Sequence, residues 1–272
     1  MLSDGFMKEL RLANKIIKTL IKDRIQYSGR LLADTLTVFG RCGVLLLLYY
    51  YVFNLKGGVI NGTTFQIAAW SIFFYFSFMT LGLRNISRLI MSDVQSGNVE
   101  VLFNKPISYL LYRCYWQIGS GFYSFFVVTI LGGAALALTI GIPQTMTSAI
   151  FLPTLLIIFL GAAVLSLLIY SLVGLFSFWI QDVNPLFWIV DKFVMILGGS
   201  YLPVALFPDF LYKLSIYSPF GASQFMTHTV YENWALSYPL LIGIQFSWIL
   251  ILGLMTYLMF KKVRQKVSVN GG

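Results

Sequence analysis

The sequence predicts an all-α polytopic membrane protein: six transmembrane helices, an amphipathic interfacial helix at the N-terminus, and a re-entrant outer hairpin between helices 5 and 6. Three observations carry this. Of 272 residues, 58% are apolar and 11% charged, against about 25% charged in an ordinary soluble domain. Cys114 to Gln181 then runs 68 residues without an Asp, Glu, Lys or Arg, and a bilayer core of about 30 Å takes roughly 20 apolar residues per helical crossing. That run holds two crossings. Finally, the basic residues lie in short segments beside apolar stretches, where they act as orientation signals or headgroup contacts. A soluble enzyme is excluded, and the net charge of +9 is not the footprint of nucleic-acid binding.

Taken in order, residues 1–30 form a cytoplasmic amphipathic unit ahead of a transmembrane domain at 31–272. On a 100° helical wheel, Lys8, Arg11, Lys15, Lys18 and Lys22 fall within an arc of about 80°, while Phe6, Leu10, Ala13, Ile17, Leu20 and Ile21 point the opposite way. Such a helix lies in the membrane plane, cationic face toward anionic headgroups and apolar face anchoring it; the other reading is that the charges merely fix orientation. The first 27 residues carry charges throughout and have no apolar run followed by a small-residue cleavage site, so no removable signal peptide is expected.

The spans are expected at Leu31 to Phe53, Phe65 to Leu83, Trp116 to Ile140, Leu152 to Ile180, Leu186 to Leu206, and Pro239 to Phe260. Gly141-Ile142-Pro143 stops the third, and Lys261, Lys262, Arg264 and Lys266 close the last. With these spans, sixteen Lys and Arg fall on one side and two, Lys56 and Lys213, on the other. The positive-inside rule therefore puts both termini in the cytoplasm, with an even number of crossings. Residues 84–113 form the longest polar stretch on that side. Within it Ile86, Leu89, Ile90, Asp93 and Val94 suit a short amphipathic helix ended near Gly97, and Lys105-Pro106-Ile107-Ser108 reads as a turn opening the next helix. Residues 198–238, on the outer side, are cut by Pro203, Pro208 and Pro219 into aromatic pieces of about ten residues, lengths that suit re-entrant or interfacial segments.

Most catalytic chemistry lacks its parts. His228 is the single histidine and no Cys-x-x-Cys pair occurs, so zinc sites of the usual spacing are excluded. No Gly-Lys dipeptide occurs, hence no phosphate-cradling loop of the Walker type. Gly119-Ser120-Gly121 reads as close helix packing, as does the small-residue stripe Gly133, Ala137, Gly141. Tyr49, Tyr50 and Tyr51 read as an interfacial belt. Charges inside spans are costly and merit a functional reading. For Asp34, Asp191 and Lys192 a purely structural reading, an ion pair or snorkelling, is favoured instead. Arg41, deeper in, stands either for a helix–helix contact or for the wall of a polar pathway.

Met91-Ser92-Asp93-Val94-Gln95-Ser96-Gly97-Asn98-Val99-Glu100-Val101-Leu102-Phe103-Asn104-Lys105-Pro106-Ile107-Ser108, with Gly198-Gly199-Ser200-Tyr201-Leu202-Pro203, Leu206-Phe207-Pro208 and Ser218-Pro219-Phe220, resembles an ABC transporter permease of the type-2 exporter class, nearest its six-helix ABC-2 family transporter subgroup of unassigned substrate. The resemblance implies an integral plasma-membrane subunit, in a bacterial inner membrane, that moves a hydrophobic or amphipathic substrate. It also implies a homodimer or heterodimer of permeases and a separate cytosolic ATPase that binds the ATP and Mg. The chain itself would bind no cofactor and catalyse no reaction. A secondary transporter or channel is the rival reading; it would show more intramembrane carboxylates or repeated broken helices. On the permease reading, Ile86, Leu89, Ile90, Asp93, Val94, Gln95, Gly97 and Glu100 form the segment that couples to the ATPase. Ile90 and Val94 would fill an apolar groove, while Asp93, Gln95 and Glu100 line a polar rim.

Overall fold

The computed structural model describes residues 2–26, 28–105 and 107–270, with the side chains of 2–10, 24, 28, 30–32, 34 and 266–270 outside the description. The expectations for the Lys8 side chain, the Asp34 side chain and Pro106 therefore fall outside the described residues. Helix α1 (Leu2–Gln26) precedes α2 (Ser28–Leu55), whose outward face is almost entirely apolar. A two-residue hairpin, β1 (Val59–Ile60) and β2 (Thr63–Thr64), pairs antiparallel around Asn61 and Gly62, both at positive φ. The Thr64 hydroxyl then accepts from the Ile67 amide and caps α3 (Phe65–Met79).

Gly82, at φ +63°, turns the chain out of α3 into a 3-10 turn (Leu83–Asn85) and α4 (Ile86–Gln95). Gly97, at φ +71°, separates α4 from α5 (Asn98–Phe103). The long helices α6 (Tyr109–Thr139) and α7 (Phe151–Leu175) follow, joined by a loop containing a 3-10 turn. Next come α8 (Asn184–Leu197), α9 (Asp209–Tyr217), the four-residue α10 (Pro219–Ala222) and α11 (Trp234–Asn270).

Packing centres on α3 and α7. Helix α3 is buried on nearly all sides, with Ala68, Ile72, Phe73, Tyr75 and Phe78 in the core. It can sit there because small residues on α6 let it in: a Cβ at Gly132 would come within 2.4 Å of the Phe73 ring, and one at Gly121 within 2.1 Å of the Leu81 carbonyl. Helices α7 and α11 run parallel. The Trp234 indole donates to Thr154 Oγ1 at 2.8 Å near both helix starts, and further along Gln245 meets Gly161 and donates to the Ile158 carbonyl at 3.3 Å.

Several expectations are corrected. The fifth span does not run to Leu206: α8 stops at Leu197 after 14 residues, about 21 Å of helix. Gly199 takes φ +81° there, and Gly198 lies so close to Gln224 that a Cβ would meet it at 2.5 Å. Among the described residues five stretches are long and apolar enough to cross a bilayer, with α3 and α4 counted together. Tyr49 leaves the expected belt and turns inward to donate to the Tyr201 carbonyl, while Tyr50 and Tyr51 stay exposed. In the small-residue stripe, Gly132 rather than Gly133 makes the tight contact, because residue 132 faces α3; Gly141 lies beyond α6, at φ +85°. Helix α1 spends its apolar face on protein. Ala13 is buried, and Ile17 and Leu20 pack over Gly119 of α6, with Arg11, Lys15, Lys18 and Lys22 exposed on the other side.

Candidate functional site

The densest polar cluster surrounds α4. Its apolar stripe faces α7: Ile86 and Ile90 are 0% exposed, and a Cβ at Gly174 would lie 2.9 Å from Ile90 Cβ and 3.0 Å from Ser87 Cα. Glycine at 174 is what admits α4 so closely. At the C-terminal end of α4, Asp93 is buried and accepts from Tyr109 Oη at 2.7 Å, from Arg113 Nε at 2.6 Å and from Arg113 Nη2, a two-pronged ion pair that fastens α4 to α6. Tyr109 and Arg113 stand four apart on α6, one turn, so both reach the same carboxylate.

The other end of α4 is fastened to α8. Arg84 Nη1 contacts Asp191 at 3.1 and 3.3 Å, and Tyr170 Oη of α7 donates to the same carboxylate at 2.9 Å. Asp191 is fully buried, so this satisfied set is what lets a carboxylate sit inside the bundle. One turn further on, the Arg88 guanidinium lies over the Phe187 ring at 4.2 Å and near Trp188 at 5.5 Å. Gln95 Nε2 donates to the Gln181 carbonyl at 2.7 Å, and Asn184 reaches Met91. Helix α5 touches α11: Phe103 packs on Tyr109 and on Phe260, with ring centroids 5.2 and 5.8 Å apart. The α4–α5 elbow thus holds α6, α7, α8 and α11 at once.

Of the residues expected to couple to a partner, Ile86, Ile90 and Asp93 are internal and Leu89 and Val94 half-buried, whereas Gln95, Gly97 and Glu100 are exposed. Ile90 therefore does not fill a partner's groove; it fills one on α7, because the apolar stripe of α4 is consumed within the chain. The exposed surface is Ser92, Gln95 to Asn98, Glu100 and Val101, the last 67% exposed. Arg84, Arg88, Tyr109, Arg113 and Tyr170 were not singled out from sequence. The i, i+4 spacing of Tyr109 and Arg113 was the one local signal for them.

Arg41 stands on α2 and lines a cavity of about 760 Å³, beside Arg84, Arg88 and Asp23. Arg41 makes no hydrogen bond or ion pair with the described residues. Lys192 is not paired with Asp191; its ammonium lies 5.7 Å from the Trp188 ring. A second cavity of about 680 Å³ opens at the opposite end of α3, walled by Gln66, Gln144, Thr145, Glu232 and Trp234. Beside it, burial pushes the His228 imidazole down to about 4, edge-on to Phe225 and Tyr231. No group of three or more His, Cys, Asp or Glu arranged to hold a metal ion occurs among the described residues.

The chain is thus a bundle of apolar helices organised around an elbow between α3 and α6. The family model described as "ABC-2 family transporter protein" matches residues 41–271. The chain belongs to the ABC-2 transporter family. It is accordingly an integral membrane protein and the permease component of an ABC transporter. The match begins at Arg41 and takes in the whole elbow and both cavity-forming ends of α3. Comparison with curated proteins returned no match.

Proposed function

We propose that the chain is the membrane subunit of an ATP-driven exporter that moves a hydrophobic or amphipathic molecule across a bacterial inner membrane. Two permease copies, alike or different, carry two cytosolic ATPase subunits. The ATPases hold the ATP and Mg; this chain supplies the path and the docking surface. Six crossings with both termini cytoplasmic agree with the charge asymmetry. They also agree with the parallel run of α7 and α11, since a chain that re-enters on the same side must cross back between them. Helix α8 makes that return with the segment after it, and α9, α10 and the turn at Phe225–His228 dip inward from the outer side as a re-entrant hairpin. In support of the hairpin, Gln245, about 16 Å along α11 from Trp234, donates to the Ala222 carbonyl at 2.9 Å.

The α4–α5 elbow is the coupling element. The observation that carries this reading is its two-faced construction: one face buried and clamped by ions at both ends, the other free. A push on a loose loop is dissipated, whereas an elbow fastened to four helices hands displacement to all of them. Ser92, Ser96, Asn98, Glu100 and Val101 receive the ATPase, with Val101 as the apolar contact; Gln95, exposed but tied to the Gln181 carbonyl, stands at the edge of that face, and Ile86, Ile90 and Asp93 transmit. The basic face of α1 rests on anionic headgroups.

The experiment compares the two faces. Charge reversal on the free face should remove the ATPase from a permease of unchanged thermal stability. Substitutions on the clamped face should lower stability first. Equal behaviour of the two faces would defeat the proposal.

A further inference from the structure

The cavity beside α4 holds more positive charge than the fold uses. Of its three arginines, Arg84 is paired with Asp191 and Arg88 lies over aromatic rings, but Arg41 has no partner among the described residues. Arg41 stands six residues, about 9 Å, inside the apolar stretch Thr35–Leu55. A cation at such a depth is costly unless something satisfies it. Arg84 spends one nitrogen, Nη1, on Asp191 and its side chain is still 33% exposed. Arg88 meets its rings through the guanidinium face, which leaves N–H donors at the edge. Asp23 is the single carboxylate on the described wall.

The rest of that wall is mixed: Thr37, Asn85, Gln117 and Ser120 add polar groups, and Leu20 of α1, Val38 of α2, Phe76 and Met79 of α3 and Trp116 of α6 supply an apolar part. One chamber therefore offers guanidinium donors beside a surface for hydrocarbon, and α2, its lipid-side boundary, is the most sparsely packed of the long helices. Water alone would satisfy the donors but not the apolar wall. A small soluble anion would do the same.

We propose that this cavity binds an anionic amphiphile, with a phosphate or carboxylate headgroup at Arg41, Arg84 and Arg88 and its hydrocarbon body between α2 and α6. The inference deepens the exporter reading and rests on it for placing the α4 end of the bundle in the inner leaflet. Two sources share this chemistry: a bilayer phospholipid held in place, and a carried amphiphile.

The test uses the full chain in a neutral maltoside detergent, titrated with brominated-acyl phosphatidylglycerol and with phosphatidylcholine of the same chains. Quenching at the wall is read as the difference between wild type and Trp116→Phe. Phosphatidylglycerol should quench at about tenfold lower concentration, the worth of one charge-assisted hydrogen bond. Arg41→Gln should remove most of that preference without moving the melting temperature, since Arg41 has no partner among the described residues, and Arg41→Lys should keep most of it. Equal quenching by the two lipids, or a preference that survives Arg41→Gln, would overturn the proposal. So would displacement of the lipid by inorganic phosphate at low millimolar concentration, which indicates a site for free oxyanions. In vesicles with the ATPase and ATP, loss of the bound lipid on turnover assigns it as cargo, and unchanged occupancy assigns it as a resident; both support binding. Should no ATPase accompany the wild-type chain while the lipid preference stands, the exporter reading fails and the site survives.

Discussion

Removing one partner of the Asp93–Arg113 pair should be among the most damaging single changes in this chain. The carboxylate and the guanidinium are 6% and 12% exposed as side chains. Asp93→Ala therefore leaves a nearly dry guanidinium without its counter-charge, and Arg113→Ala leaves a nearly dry carboxylate with the Tyr109 hydroxyl alone. Breaking a buried pair from one side costs about 3–5 kcal/mol. At about 2–4 °C per kcal/mol for a chain of this size, the melting temperature should drop by roughly 6–20 °C. The chain carries its own reporter: Cys42 is buried and Cys114 half-buried, so a thiol-reactive dye registers unfolding in detergent. The double variant Asp93→Ala/Arg113→Ala should be no worse than the more damaging single, because removing both charges leaves neither stranded. Shifts under 2 °C for both singles, or strictly additive losses in the double, would refute the view of this pair as the clamp between α4 and α6.

Three further outcomes follow from the same geometry. Gly121→Ala should prevent normal assembly, since its Cβ would sit 2.1 Å from the Leu81 carbonyl, whereas Gly43→Ala, in open space, should keep expression and melting at wild-type values. Asp191→Asn should lower stability by about 1–3 kcal/mol, less than the loss at Asp93, because water reaches the abandoned Arg84, whose side chain is 33% exposed; a loss equal to that of Asp93→Ala would contradict this. For His228 the unfolded imidazole titrates at 6.5 and the folded one near 4. The unfolded chain binds the extra proton, so stability falls as pH drops from about 6.5 to 4, by up to about 3 kcal/mol. A His228→Phe variant should lose that part of the pH dependence of melting, and an unchanged slope would count against the burial of a neutral imidazole.

What could be read from the chain were the features written in local order. The helix at 86–95 ends at Ser96 before a glycine at positive φ, as Gly97 required; α1 is amphipathic as its lysine spacing required; and the long uncharged runs became α6 and α7. What could not be read were the partners. Arg84 finds Asp191 across 107 positions, and Asp93 finds Arg113 across a turn whose geometry local residues do not fix. Ile90 had the right pattern for a partner's groove, but a helical period says that a face is apolar without saying what covers it. Here Gly174 brings α7 close enough to do so. The short α8 was hidden for a similar reason: Leu186 to Leu206 is apolar enough for a span, and the break falls at Gly198 and Gly199, where Gly199 takes φ +81° and Gln224, distant in sequence, rests against Gly198.

The central claim is that the free face of the α4–α5 elbow receives the ATPase, and copurification measures it most directly. Tagged permease carrying Glu100→Lys and Val101→Asp is purified beside wild type, and ATP hydrolysis is measured per mole of permease. Both side chains are exposed, so melting should stay within about 1 °C of wild type. Loss of a hydrophobic contact with reversal of its neighbouring charge should reduce the retained ATPase at least about tenfold. ATPase retained at the wild-type level and hydrolysing at the wild-type rate would place the docking surface elsewhere and contradict the account.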